Sequence, residues 1–190
     1  MMAFTSKVVI LLLFSSLAWW QASALGRSAE IVTQGLNNIE TVTRSLYAEG
    51  KGISKSNFEV KGPQVVDGIK NITKACFRAS LSVQKVKNDS VDSFRLSDSD
   101  TAAVLQALRG AGFAQLLLSA LFTDLKYRQY LVRYRPSVEE ALITRRSSLD
   151  SYFSILISLI PKESEQAFRK IFKTVRNAED LAISKYKYRA

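Results

Sequence analysis

Two ionisable residues stand where the helical pattern of this sequence would otherwise place apolar ones. Arg145 falls in an apolar stripe between Leu142 and Leu149, and Glu179 has the same kind of position in the last helical segment. A buried charge without a partner is very costly. Three outcomes are therefore open for Arg145: a buried ion pair with Glu179, a ligand carboxylate held by the guanidinium, or a side chain that extends its head to water.

The residue types that are missing exclude several kinds of chemistry. The 190 residues include no His and one Cys, Cys76. Histidine-dependent nucleophile pairs and the usual zinc sites are therefore excluded, and no internal disulfide can form. Cys76 falls on an apolar stripe and is expected to be a buried thiol, with pairing between chains as the alternative. We expect no catalytic residues, no metal site and no cofactor.

The chain is basic, with 27 Lys and Arg against 17 Asp and Glu and a formal net charge of +10. In an exported protein this charge indicates anionic polysaccharide, lipid headgroups or acidic cell surfaces rather than nucleic acid. Aromatic and basic residues alternate from Lys126 to Arg135. This segment is either a surface for anionic polymer or headgroups, or a helix end whose tyrosines lie over the core.

The first 24 residues have the pattern of a secretory signal peptide. Lys7 precedes an apolar run over 8–20, and residues 22–24 read Ala-Ser-Ala, a typical cleavage site. We therefore assign 1–24 to a signal peptide and 25–190 to one domain, and we expect a secreted protein without a transmembrane segment.

Helical periodicity runs through the rest of the chain, and we find no convincing strand pattern. It predicts an all-α, single-domain bundle of about five amphipathic helices, over 28–47, 63–87, 96–125, 137–160 and 162–187. The second helix should begin at Pro63, after a loop. The fourth should begin with a capping box formed by Ser137 and Glu140. Two glycosylation sequons are predicted sites, Asn71 on the solvent face of the second helix and Asn88 in the loop after it.

The third helical stretch, from Leu96 to Leu125, is apolar nearly all round and should form a buried central helix. Ser97 is expected to cap it. Gly110 and Gly112 divide it, and each costs about 1 kcal/mol relative to alanine in a helix interior. We expect a kink or a close helix contact at the glycines, with a break beside a cavity as the alternative.

The second half of the chain resembles the fungal hydrophobic surface-binding protein A family, which includes cell wall galactomannoproteins. The similar stretches are LSDSDTAAVLQAL at 96–108, LLSAL at 117–121, LISLIP at 156–161, and 178–186. The resemblance implies a small helical secreted domain, at or near a cell wall, that adsorbs to hydrophobic surfaces or holds fatty acids in an apolar tunnel. A Tyr/Arg-rich segment follows LLSAL where the family has a short Lys-Lys segment. Gly110 and Gly112 replace a proline-containing turn, and a Ser/Thr-rich wall tail is missing.

The leading hypothesis is a secreted, non-catalytic protein that binds fatty acids, other lipids or hydrophobic surfaces. Each buried methylene is worth about 0.8 kcal/mol, so a partly enclosed acyl chain can bind at micromolar levels. A solid core is the alternative that the residues alone would favour. The side chains expected to contact lipid are Leu117, Leu118, Leu121, Phe122, Leu142, Arg145, Phe153, Leu156, Phe168, Ile171, Phe172 and Val175.

Two other functions stay open. The segment from Lys126 to Arg135 suits a secreted interaction protein that binds anionic polysaccharide or a host surface. A helical enzyme without histidine, such as a secreted chorismate mutase, could use Arg145, Arg146 and Glu179, although their spacing matches no known signature.

Overall fold

The computed structural model describes residues 26–89 and 95–187. Within these ranges the chain is helical and contains no strand. The helices are α1 Arg27–Lys51, α2 Phe58–Asp89, α3 Asp98–Thr123, α4 Leu125–Tyr130, α5 Arg135–Ile157 and α6 Lys162–Tyr186, with a 3-10 turn at Val132–Tyr134. The predicted all-α single-domain bundle is confirmed. The signal peptide predicted for 1–24 lies outside the described residues.

The five long helices close a ring in which each packs mainly on two neighbours. α1 packs on α2 and α3, α5 packs on α2 and α6, and α3 packs on α6. Each helix therefore turns one stripe of side chains to a common interior. That interior is filled by large side chains that are almost fully buried: Leu36, Ile39, Ile69, Ile72, Leu108, Leu118, Phe122, Tyr152 and Phe168.

The buried face of α1 includes a polar position. Thr43 is fully buried, its hydroxyl donates to the Ile39 carbonyl at 2.7 Å, and it accepts from Gln115 Nε2 of α3 at 2.8 Å. A hydrogen-bonded hydroxyl can be buried at little cost. The remaining buried residues of α1 are Ala29, Val32, Leu36, Ile39, Leu46 and Gly50.

The start of α2 differs from the prediction, because the helix begins at Phe58 and Pro63 lies inside it. Proline in a helix leaves the carbonyl four residues earlier without its usual donor. Here that carbonyl belongs to Glu59, and the Tyr134 hydroxyl donates to it at 3.0 Å. A Cβ on Gly62 would overlap the Tyr134 ring, so the glycine lets the tyrosine approach. The extra turn is stabilised by a residue far away in the chain.

The central helix α3 is continuous through both glycines. A Cβ on Gly110 would collide with the Glu40 carboxylate of α1, and one on Gly112 would lie 3.0 Å from Ile171 of α6. The expected close helix contacts are therefore present, and the alternative of a break is wrong. At the start of the helix, the Ser97 hydroxyl accepts from the Asp100 amide as predicted. The helix ends at Thr123, and Leu125 is exposed on α4 rather than part of the central helix.

By length and composition alone, α3 could cross a membrane, since an 18-residue window has a mean hydropathy of 1.3. In this fold it is a bundle helix, with Gln115 and Ser119 buried against its neighbours.

Three smaller predictions about helix ends are wrong. α5 begins at Arg135 and has no side-chain cap, so the Ser137–Glu140 capping box is not used, and the helix ends at Ile157. Pro136 already supplies a favourable first turn. Asn88 lies in the last turn of α2 rather than in a loop, and its side chain is exposed. Asn71 is exposed on α2 as expected.

Candidate functional site: a buried ion pair beside the ring interior

The two charges singled out in the sequence meet in the interior. Arg145 Nη2 of α5 lies 3.0 Å from Glu179 Oε1 of α6, and these residues are 0% and 2% exposed. Of the three outcomes that the sequence left open for Arg145, the ion pair with Glu179 is the one observed, and the side chain does not extend to water. Burial raises the pKa of the Glu179 carboxyl, and the attraction of Arg145 opposes this only in part.

The guanidinium of Arg145 is not fully used by this pair. Its Nε and Nη1 atoms are buried and have no hydrogen-bond partner among the described residues. Unsatisfied buried donors are rare in proteins, and each one calls for an explanation. Arg145 could therefore accommodate a further anionic or polar acceptor at the same site.

Neighbouring groups limit what the site can do chemically. Arg146 pairs with Asp180 at 3.0 Å nearer the surface, so it does not share the interior with Arg145. Burial raises the pKa of the Cys76 thiol to about 12, partly offset by Arg145, so the thiol is neutral at physiological pH. Cys76 is fully buried, as expected. Among the described residues no group of three or more Cys, Asp or Glu side chains is arranged to hold a metal ion.

A small apolar cavity lies next to the ion pair. Its volume is about 10 Å³, and its lining residues are Leu36, Ile39, Leu108, Ala111, Gly112, Gln115, Leu149, Tyr152, Phe153 and Val175. Leu149 follows Arg145 by one helical turn, and Val175 precedes Glu179 by one turn. The ion pair is therefore displaced from this part of the lining by about 5.4 Å along the helices. The cavity lining is apolar apart from Gln115 and Tyr152, and Arg145 and Glu179 lie about one helical turn beyond it.

Two polar side chains of the lining bridge or face the interior. The Tyr152 hydroxyl crosses from α5 to α1 and donates to the Val32 carbonyl at 3.4 Å. Gln115 donates to Thr43, but its carbonyl oxygen, Oε1, is buried without a partner among the described residues. The interior thus offers unused donors on Arg145, an unused acceptor on Gln115, and the Glu179 Oε1 atom, whose one close polar neighbour among the described residues is Arg145.

The structure divides the twelve predicted lipid-contact residues into three groups. Two line the cavity, Phe153 and Val175. Six others are buried in the core: Leu118, Phe122, Leu142, Arg145, Leu156 and Phe168. Four are only partly buried: Leu117, Leu121, Ile171 and Phe172. Leu121, Ile171 and Phe172 still pack against the core, and the Phe172 ring centroid lies 4.3 Å from that of Phe153.

Sequence reasoning missed the contribution of α1 and the two polar lining residues. Leu36 and Ile39 of α1 line the cavity opposite Leu149 and Tyr152 of α5. The signal for Leu36 was present, because it lies one turn from Val32 and three residues before Ile39 on the same helical face. No sequence pattern marks Gln115, which only its partner Thr43 brings into the core.

An aromatic cluster closes the interior at the end where α4 lies. The Phe122 ring packs edge-on against Tyr127, with centroids 5.6 Å apart, and against Tyr186 at 6.1 Å. Tyr134 is engaged with Glu59, and Arg135 Nε donates to the Tyr186 carbonyl at 2.9 Å. Most aromatic residues of the segment from Lys126 to Arg135 therefore pack on the rest of the protein. This agrees with the interpretation of the segment as a helix end whose tyrosines lie over the core.

Comparison with known proteins gives a match of fold. No protein-family model and no curated protein sequence matches this chain. Ligand-binding domain 2 of the Penicillium marneffei MP1 protein, complexed with multiple arachidonic acids, has a TM-score of 0.72 at 13% identity, over 86% of this chain and 99% of that one. Ligand-binding domain 1, complexed with arachidonic acids, has a TM-score of 0.72 at 14% identity, over 85% of this chain and 100% of that one. The chain therefore has the fold of the MP1 ligand-binding domains, which confirms the fold expected from the resemblance noted in its sequence.

Proposed function

We propose that this protein binds long-chain fatty acids in the interior of its helix ring, with the carboxylate at Arg145 and the tail along the apolar lining. The observation that carries the proposal is the buried Arg145 guanidinium with two unpartnered nitrogens, beside an apolar cavity. A ligand carboxylate would supply the missing acceptors. The shared fold with domains that are complexed with arachidonic acids supports the same assignment.

The small size of the cavity means that the helices must move apart to admit a ligand. Ligand pockets usually have volumes of roughly 300–1,000 Å³, whereas this cavity measures about 10 Å³. We infer that the five long helices, each of which packs mainly on two neighbours, move outward to make this room. About ten buried methylenes contribute about 8 kcal/mol, which corresponds to micromolar affinity before the cost of widening the ring is subtracted.

A comparison of a fatty acid with its alcohol tests the carboxylate anchor. The double variant Arg145→Met/Glu179→Gln leaves no buried charge at the site, and we expect it to bind palmitic acid about tenfold more weakly. Binding of hexadecanol, which has no carboxylate, should change little. Arg146→Met is the matched control, since its side chain pairs with Asp180 outside the cavity lining.

Each result has a separate meaning. If the wild-type protein binds neither the acid nor the alcohol, and native mass spectrometry of the secreted protein detects no acyl chain, fatty-acid binding is rejected. If the double variant loses affinity for palmitic acid and for hexadecanol to the same extent, Arg145 does not anchor the carboxylate.

We also infer that the protein is secreted, non-catalytic and located at or near a fungal cell wall. The predicted signal peptide and the family resemblance support this location. The non-catalytic assignment is supported by Arg145 and Glu179, which pair with each other in the core and are 0% and 2% exposed.

Adsorption to hydrophobic surfaces is a second candidate function, favoured by the outer face of α3. No charged residue occurs from Gly110 to Thr123, and the Phe113 side chain is 54% exposed. Adsorption to polystyrene beads that is weakened by Phe113→Ser would support this candidate, and unchanged adsorption would argue against it.

A further inference from the structure

A second amphipathic feature lies outside the ring, where α4 and the 3-10 turn connect α3 to α5. Leu125 is 63% exposed and Val132 is 61% exposed, although both are large apolar residues. Both line one open groove of about 200 Å³, together with Arg128, Gln129, Arg135, Lys185 and Tyr186. None of the described residues that line it is acidic. We call this groove and its rim the α4 end surface.

The charges around this surface are mostly positive, although Asp124, which caps α4 beside Leu125, is exposed as well. Lys126 is exposed next to Leu125, and Lys185 and Lys187 are exposed at the end of α6. Apolar side chains within a group of cations attach peripheral proteins to anionic lipid, because the apolar groups enter the interface while the cations meet the headgroups. The chemistry of the surface is therefore complementary to an anionic lipid interface.

The position of the α4 end surface connects it to the ring interior. Tyr186 lines the groove, and both Tyr186 and Tyr127 of α4 pack on Phe122. Both tyrosine hydroxyls are buried without a hydrogen-bond partner among the described residues. α4 packs mainly on α3 and on the 3-10 turn, and the contacts that close the ring are made by the five long helices.

A competing surface on α2 has similar residues but a different setting. Phe77 and Leu81 are exposed there, close to Lys74. The same helix exposes both predicted glycosylation sites, Asn71 and Asn88. Glycans at these positions would hold α2 away from a lipid surface. The α4 end carries no sequon among its described residues.

We propose that the α4 end surface docks on an anionic lipid interface and is the place where an acyl chain enters the ring. The docking part stands on the exposed residues alone. The entry part rests on the proposed function, because it makes the lipid surface the source of the bound fatty acid.

Co-sedimentation with vesicles tests the docking. The probe is phosphatidylcholine vesicles with or without about 30% phosphatidylserine. We expect binding only to the anionic vesicles, with an affinity that falls as salt increases. Lys126→Glu/Lys185→Glu should weaken binding at least about 25-fold, since each cation near an anionic surface contributes about fivefold. Leu125→Gln/Val132→Gln, which keeps the charge, should weaken it at least about tenfold.

Matched variants on α2 distinguish this surface from net charge alone. Lys70→Glu/Lys74→Glu makes the same change in charge, and Phe77→Gln/Leu81→Gln removes two exposed apolar side chains. Both should stay within about threefold of wild type. The proposal is overturned if the α2 variants lose as much affinity for anionic vesicles as the α4 variants do. It is also overturned if Leu125→Gln/Val132→Gln binds these vesicles with wild-type affinity, or if the protein binds an anionic polysaccharide and no vesicles.

A transfer assay separates failure of the entry route from failure of fatty-acid binding. Leu125→Gln/Val132→Gln should take up a fluorescent fatty acid from anionic vesicles at least about tenfold more slowly than wild type, and it should bind the same fatty acid from solution with unchanged affinity. Unchanged transfer would overturn the entry route and leave fatty-acid binding intact. Absence of binding from solution in the wild-type protein would instead refute the proposed function.

Discussion

Replacing Arg145 by Met removes one partner of a buried ion pair and leaves the other in place. At 3.0 Å, two unit charges attract each other by about 5.5 kcal/mol with an effective dielectric constant of about 20. Desolvation of both groups offsets part of this. Measured costs of removing one partner of a buried pair are about 3–5 kcal/mol, because the remaining charge is uncompensated. We expect Arg145→Met to lower the free energy of unfolding by that amount at pH 8.

The pH dependence follows from the carboxyl that remains. Burial already raises the pKa of Glu179 in the wild-type protein, and loss of Arg145 raises it further. A carboxyl whose folded pKa lies above its unfolded value destabilises the fold as the pH rises through that interval, since the unfolded state releases the proton more easily. The cost of Arg145→Met should therefore be smaller at pH 5 than at pH 8.

Urea denaturation at the two pH values measures this effect, and Glu179→Gln in the same chain is the control. Adding Glu179→Gln to Arg145→Met should restore about 2 kcal/mol or more at pH 8 and little at pH 5. A cost below about 1 kcal/mol for Arg145→Met, or a second substitution without effect at pH 8, would refute the argument that this charge pair stabilises the core.

Three further predictions concern packing, a helix start and processing. Leu118→Ala should lower the free energy of unfolding by about 2–5 kcal/mol in urea denaturation, whereas Leu117→Ala, at a partly exposed position, should lower it by about 1 kcal/mol or less. Equal costs would show that the face of α3 assigned to the interior is wrong. Tyr134→Phe should cost about 1 kcal/mol and speed amide exchange in the first turn of α2, since the Glu59 carbonyl loses its donor; unchanged exchange would show that this turn holds by itself. The exported protein should begin at or near Leu25 and lose mass on N-glycosidase treatment, which N-terminal sequencing and mass spectrometry would check; an intact leader would contradict the signal-peptide assignment.

The sequence by itself determined the helical class, the approximate positions of the five long helices, and the presence of Arg145 and Glu179 in apolar stripes, while three outcomes stayed open for Arg145. Hydrophobic periodicity is a local property that a short window of residues contains, so it can be read without knowing the neighbours. A charge inside an apolar stripe is either paired or extended to water, and only the packing of α5 on α6 decided that Arg145 pairs with Glu179.

Other features depend on contacts between distant parts of the chain, and only the tertiary structure decided them. In the first turn of α2, the Glu59 carbonyl accepts a hydrogen bond from Tyr134, which lies far away in the chain. Thr43 is buried because Gln115 donates to it from α3. The central helix is continuous through Gly110, where α1 lies so close that a Cβ would collide with the Glu40 carboxylate. The interior is nearly closed because five stripes of side chains meet there at once, and a free volume of about 10 Å³ is the small difference between the space inside the ring and the side chains that fill it.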